Sequence, residues 1–265
     1  GGSMDPLERL RPPPGLRVLV TAGAAGIGRA IADAFAAAGA RLAICDVDAD
    51  ALAEARAALP DVVAVEADVA DATAVAAMVD RAARDVGGLD VVVNNAGIAG
   101  PTAAIEDIDP DAWHRTIDVN LNGQYHVAAR TMPLLKAGGD GLLVNIASVA
   151  GRLGYAFRTP YAAGKWAVVG LTASLAKEAG PAGVRVNAIL PGVVRGPRIE
   201  RVIGARADAL GLAYAEMEQR YLDKVSLRRM VEPEDVASMA LFLASPGGRN
   251  VSGQALGVCG NVEDL

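Results

Sequence analysis

Residues 17–28 read RVLVTAGAAGIG, and the fold follows from how that stretch divides. Arg17–Thr21 (RVLVT) is short, apolar and β-branched, the pattern of a parallel strand buried on both faces. Thr21-Ala22-Gly23-Ala24-Ala25-Gly26-Ile27-Gly28 then leads straight into a helix, Ile27–Ala38, which Gly39 closes as a left-handed cap. Glycines at a strand-to-helix turn let the backbone bend tightly and approach a pyrophosphate, which settles on the free N–H groups of the helix N-terminus. Asp46 ends the second strand, Leu42–Cys45, at about the twenty-residue spacing expected of an acid that accepts the hydroxyls of an adenosine ribose and repels a 2′-phosphate. Asp48 and Asp50 add negative charge, and no Arg or Lys lies between Gly23 and Gly28 or directly after Asp46. This predicts NAD rather than NADP. Asp46 equally suits a cap for the helix starting near Ala49. Asp68, past the third strand, suits either the adenine amino group or a solvated loop.

Outward from this stretch, apolar runs and helical patterns alternate. Ala49–Leu59 is a second helix stopped at Pro60, Val62–Val65 a third strand, Thr73–Val86 a third helix and Leu89–Val93 a fourth strand. Asp109-Pro110 opens a long helix, with an N-cap carboxylate followed by proline at the first helical position. Gly141–Ala147, Val184–Leu190 and Gln254–Cys259 are further strands, and Pro160–Glu178 and Pro233–Ala244 further helices. The alternation predicts an α/β, single-domain Rossmann-type doubly wound parallel sheet of about seven strands with helices on both faces, over residues 16–265. Residues 195–229 interrupt it with charge and helical pattern, where a lid over the sheet's carboxyl edge would be inserted. Residues 1–15 precede the domain. Gly1–Ser3 before Met4 read as a cloning remnant, and Pro12-Pro13-Pro14-Gly15 as a stiff lead-in.

Bulk properties narrow the function. With 52% hydrophobic and 21% charged residues, the 265-residue chain can bury a full core. A net charge of -6 without a basic stripe argues against a nucleic-acid partner. No apolar stretch is long enough to span a membrane, and no signal-peptide segment begins the chain. Cys45 and Cys259 sit in apolar runs without C-x-x-C spacing and read as reduced, buried thiols of a cytoplasmic protein. His114 and His126 lack ligand spacing, so no metal site is expected.

Tyr161 and Lys165 are spaced i and i+4 on a predicted helix and project from one face. A free phenol titrates near ~10 and is a poor base at neutral pH, but an adjacent ammonium favours the phenolate. Ser148 follows the fifth strand at the sheet's carboxyl edge, where doubly wound sheets bind ligands, and Asn94-Asn95-Ala96-Gly97 ends the fourth strand at that edge. Asn120 lies inside the long helix, where asparagine is mildly unfavourable.

In this order the features resemble the short-chain dehydrogenase/reductase family, from Arg17 to Gly260. The resemblance implies an NAD-dependent oxidoreductase that interconverts a secondary alcohol and its ketone, assembled as a homotetramer. It implies that Gly23, Ala25, Gly26, Ile27 and Gly28 hold the pyrophosphate, with Asp46, Asp68, Val69, Asn95, Ala96 and Gly97 along the cofactor. Asn94 would stabilise the central sheet. Pro191, Gly192 and Val194 would form the nicotinamide turn. Ser148 would bind the substrate oxygen, Tyr161 exchange its proton, Lys165 hold the nicotinamide ribose, and Asn120 position a water that links Lys165 to solvent. The sequence departs from the family pattern at Ala22 for the first glycine, Gly164 before the lysine, Gly196 for a threonine and Cys259 for an acid.

The substrate is less marked. Arg158 lies three residues before Tyr161, and Arg195, Arg198 and Arg201 stand in the lid; arginine pairs well with carboxylate or sulfonate, which suggests a small anionic hydroxy or keto compound. Surface or structural ion pairs are the plainer reading of the same arginines. Two other functions are consistent with parts of the pattern. One is a reductase of carrier-bound ketoacyl groups, disfavoured by the missing 2′-phosphate arginines. The other is a catalytically silent nucleotide-binding regulator, disfavoured by the intact Ser148, Tyr161, Lys165 and Asn120.

Overall fold

In the computed structural model, which describes residues 5–265, β1 (Arg17–Thr21) turns Val18 and Val20 to one side and Leu19 to the other, all fully buried. This two-residue alternation is why an uninterrupted apolar run suits a strand covered on both faces. The expectation for Gly1–Ser3 lies outside the described residues. After β1 come α1 (Gly26–Ala37), β2 (Arg41–Asp46), α2 (Ala49–Ala58), β3 (Val63–Glu66), α3 (Ala72–Val86) and β4 (Val91–Asn94). The second half runs α4 (Pro110–Ile117), α5 (Gly123–Gly138), β5 (Leu142–Ile146), α6 (Thr159–Ala179), β6 (Arg185–Pro191), α7 (Pro197–Leu210), α8 (Tyr214–Asp223), α9 (Pro233–Ala244) and β7 (Ala255–Val258).

The seven strands form one parallel sheet in the order β3-β2-β1-β4-β5-β6-β7. The chain works outward from β1 to β3, then returns to β1's other side as β4. Strand order therefore reverses between β1 and β4, and a crevice opens beyond their carboxyl ends. Ile31 and Phe35 of α1 join Val236, Ala240 and Leu243 of α9 over one face. Met78, Val79 and Ala82 of α3 join Val127 and Leu135 of α5 over the other. Burying each such large side chain contributes about 1.5–3 kcal/mol.

Two stretches refine the sequence expectation. The long helix opened by Asp109 is helical throughout but passes through a π turn, Asp118–Asn122, that joins α4 to α5, with Asn120 fully buried inside it. The stretch 195–229 folds as α7 and α8, which pack Val202, Ile203, Ala207, Met217 and Tyr221 onto Val149 and Tyr155 as a separate apolar cluster. No helix among the described residues is long and apolar enough to cross a membrane.

Candidate active site

Thr21 ties the two strands of the crevice together, since its Oγ1 accepts the N–H groups of Asn95 (2.9 Å) and Ala96 (3.0 Å). Asn95 Nδ2 donates back to the carbonyls of Thr21 (3.2 Å) and Ala22 (3.3 Å). The turn that follows is close-fitting. A Cβ on Gly28 would lie 2.0 Å from the Ala22 carbonyl oxygen, so only glycine lets α1 start this near the turn. Ala22, in place of the family's glycine, takes φ +48°, a left-handed conformation that costs a residue with a Cβ about 1–2 kcal/mol.

The helix ends contrast sharply. Asp48, Asp71 and Asp109 cap α2, α3 and α4 through their side chains, and a Glu232–Asp235 capping box starts α9. Helix α1 has no side-chain cap and no acid in its first turn. Its unsatisfied N–H groups and positive dipole end face the crevice, which suits an anionic phosphate. Asp46 points into the same space, its carboxylate accepting the N–H groups of Ala24 and Asp48, both at 3.2 Å. The helix cap considered for Asp46 is supplied by Asp48 instead.

At the other end, Ser148 leaves β5 with extended backbone and accepts the Ala150 N–H at 3.1 Å. Tyr161 sits in the first turn of α6 and Lys165 one turn later. The buried Lys165 ammonium donates to the Ile146 carbonyl (3.1 Å) and lies 5.7 Å from the Tyr161 ring centre. Burial alone pushes the Tyr161 phenol up, but Lys165, the Ser148 hydroxyl, Arg198 and Arg158 outweigh it and bring it below the ordinary range. Burial also lowers the Lys165 ammonium, against the pull of Tyr161. A phenol so lowered, on the same cleft wall as the Ser148 hydroxyl, is equipped to exchange a proton with an alcohol or ketone oxygen.

Asn120 is held edge-on by one residue, its Oδ1 accepting the Ile98 N–H (2.7 Å) and its Nδ2 donating to the Ile98 carbonyl (2.9 Å). Its side chain is thus spent on Ile98, which leaves its main chain, in the π turn, as the part available to a water. A Cβ on Gly97 would come 3.3 Å from Lys165 Nζ and 3.4 Å from Asn120 Oδ1, so these groups converge there.

The cleft of about 560 Å³ is lined by Ala25, Gly26, Ile27, Asp46, Asp68, Val69, Asn95, Ala96, Gly97, Ser148, Tyr161, Lys165, Pro191, Gly192 and Val194 among the anticipated residues. Gly23, Gly28 and Asn120 stand behind that lining. Gly23 packs against Ile44, and Asn94 is buried, donating to the Gln124 carbonyl. All four arginines singled out, Arg158, Arg195, Arg198 and Arg201, line the cleft, and Arg195 is held at its edge by Glu232 (2.9 Å). Sequence reasoning missed Arg115, which pairs with Asp68 at 2.9 Å on the cleft wall, and Tyr155 and Tyr221, whose hydroxyls share a 2.7 Å hydrogen bond across 66 residues. No local pattern marks those pairings.

A family profile described as enoyl-(acyl carrier protein) reductase matches residues 22–261. The chain belongs to the short-chain dehydrogenase/reductase family. It is 39% identical over 92% of its length to a granaticin polyketide synthase putative ketoacyl reductase of Streptomyces violaceoruber, covering 92% of that protein. It is 38% identical over 91% of its length to the cis-4-hydroxycyclohexanecarboxylate dehydrogenase of Sinomonas cyclohexanicum, covering 94% of it. An NAD+-bound xylitol dehydrogenase superposes with a TM-score of 0.90 at 29% identity, over 94% of this chain and 99% of the other. Membership makes this chain an oxidoreductase of a family that binds a nicotinamide cofactor and acts on CH–OH groups.

Proposed function

We propose that this enzyme is an NAD-dependent dehydrogenase that interconverts a secondary alcohol and its ketone, with Tyr161 as general acid–base. The observation that carries the reading is the Tyr161 phenol, lowered by Lys165 and Ser148 at the mouth of a cleft whose far end holds Asp46. The residues present fit the cofactor. The uncapped α1 N-terminus with Ala25, Gly26 and Ile27 would hold the pyrophosphate, Asp46 the adenosine ribose, and Asp68 and Val69 the adenine. Asn95, Ala96 and Gly97 would line the nicotinamide half, and Pro191, Gly192 and Val194 the carboxamide side. Gly23 and Gly28 would act by shaping the turn. The bound nicotinamide would supply or accept the hydride.

For the alcohol, Ser148 Oγ and Tyr161 Oη hold the carbinol oxygen. Tyr161 takes its proton as the phenolate, and Lys165 beside it stabilises that phenolate and would hold the nicotinamide ribose. Asn120 positions a water through its main chain, which returns the proton to solvent by way of Lys165. Reduction of the ketone reverses each transfer. Helices α7 and α8 form the lid over the substrate. Arg158, Arg198 and Arg201 at that end favour a small hydroxy or keto anion.

A homotetramer in the cytoplasm completes the proposal. Exposed Tyr125 and Trp166 on α5 and α6 favour the assembly, and two buried free thiols a reducing compartment. A carrier-bound ketoacyl reductase is the second reading, favoured by the Streptomyces relative. The test is to offer NAD+ and NADP+ separately with secondary alcohols, and NADH and NADPH with ketoacyl thioesters, following reduced nicotinamide. Turnover of alcohols with NAD+ is expected. Turnover of thioesters with NADPH alone would replace this reading by the second.

A further inference from the structure

The end of the cleft beyond Tyr161 carries more positive charge than Lys165 alone, and among the described residues Arg158 and Arg198 have no carboxylate partner. Arg158 is only 3% exposed, yet among the described residues no carboxylate lies within 4.0 Å of it. Its Nη2 donates to the Ala99 carbonyl (2.8 Å), and its Nε is buried without a partner. The guanidinium carbon sits 4.8 Å from the Tyr155 ring centre and 4.5 Å from that of Tyr161. On the other contacts of this aromatic group, Arg206 lies 5.6 Å from Tyr155 and 5.7 Å from Tyr221, and its Nε too is buried and unpartnered. Arg198, from the first turn of α7, reaches across to donate to the Gly97 carbonyl at 2.6 Å. Among the described residues it has no carboxylate partner either, unlike Arg195 three residues earlier.

Two ring faces and one carbonyl offset part of the desolvation of Arg158, but none of them carries a full negative charge. A guanidinium kept buried on these terms, on the wall of a ligand cleft, is incomplete without an anion. Arg158 is placed against the Tyr161 ring, so the anion it receives and the oxygen Tyr161 serves are a few bonds apart in one small molecule.

Resting on the dehydrogenase reading above, we infer that Arg158, with Arg198 as the second cation, is the binding site for a single oxyacid group, carboxylate or sulfonate, on a short hydroxy or keto substrate. A neutral thioester would leave Arg158 unpaired, so this assignment separates the chain from the ketoacyl reductases it resembles. The charge is supplied by the N-terminal ends of α6 and α7 together.

The test uses the enzyme saturated with NADH and three ligands of one shape: cyclohexanecarboxylate, cyclohexanesulfonate and cyclohexanecarboxamide, titrated by calorimetry. At least one anion is expected to bind about tenfold or more tighter than the amide, as a charge-assisted hydrogen bond allows, and the tighter one identifies the acid type. Arg158→Gln is expected to erase that preference. Equal binding of all three, or a preference that survives Arg158→Gln, would overturn the assignment. Should Arg158→Gln fail to fold, the anion–amide comparison in the unmodified enzyme decides alone. Oxidation of cyclohexanol with NAD+ is measured in parallel. A protein that oxidises cyclohexanol but shows no anion preference loses only the acid subsite, whereas one that fails to bind NADH loses the dehydrogenase reading.

Discussion

At one end of the cleft Asp46, Asp48 and Asp68 surround the turn after β1; at the other, Lys165, Arg158, Arg198 and Arg201 surround Tyr161. The acidic end is built by backbone. Carboxylates are fixed by neighbouring N–H groups, Gly28 touches the Ala22 carbonyl, and the α1 terminus is left open. The basic end is built by side chains from α6 and α7 that stack on aromatic rings and reach for isolated carbonyls. On the proposed function, one end would recognise a fixed cofactor shape, and the other would hold charge ready for the substrate.

The sharpest way to separate the two ends is Tyr161→Phe. Removing the proton exchanger is expected to lower kcat by roughly 10²–10⁴-fold while NADH affinity stays unchanged. Loss of both together would show that the ends are not independent. Gly28→Ala attacks the opposite end: a methyl 2.0 Å from backbone oxygen forces the turn to shift, at about 1–3 kcal/mol. NADH affinity and Tm should both fall, and an unchanged Tm would mean that the turn yields freely.

A pH profile probes the basic end more gently. In the proposed mechanism alcohol oxidation needs the phenolate, so its rate should rise with pH through the depressed Tyr161 titration and then level off. Arg198→Gln removes one of the cations that lower the phenol, so this rising limb should move to higher pH. A limb that does not move would detach Arg198 from the reacting pair. The smallest effect is expected at Ala22→Gly, which relieves the left-handed alanine and should raise stability by roughly 0.5–1 kcal/mol. A fall in Tm would mean that the methyl is worth more than the strain.

The acidic end was legible in the sequence because it is local: strand, glycine turn and helix lie within residues 17–38, and Asp46 closes the next strand. The spacing of Tyr161 and Lys165 was legible for the same reason. What periodicity does not carry is contact between distant segments. The π turn at Asn120 carries a side chain bonded to Ile98, 22 residues away. The pairing of Arg115 with Asp68, and the Tyr155–Tyr221 contact that seats α8 on the cleft, depend on how finished elements pack. Arg158 shows the same limit: its position before Tyr161 is visible in the sequence, but its burial without a carboxylate partner is not.

The most direct test of the account is a pair of titrations of the enzyme, NADH and NADPH side by side at modest salt, read by nicotinamide fluorescence. With Asp46, held by two N–H groups, proposed to take the adenosine ribose, NADH is expected to bind at least about tenfold tighter, since a charge-assisted hydrogen bond is worth roughly 1.5–3 kcal/mol. Asp46→Ala should shrink that preference. Equal affinities, or tighter binding of NADPH, would contradict the reading of the acidic end and with it the assignment of an NAD-dependent dehydrogenase.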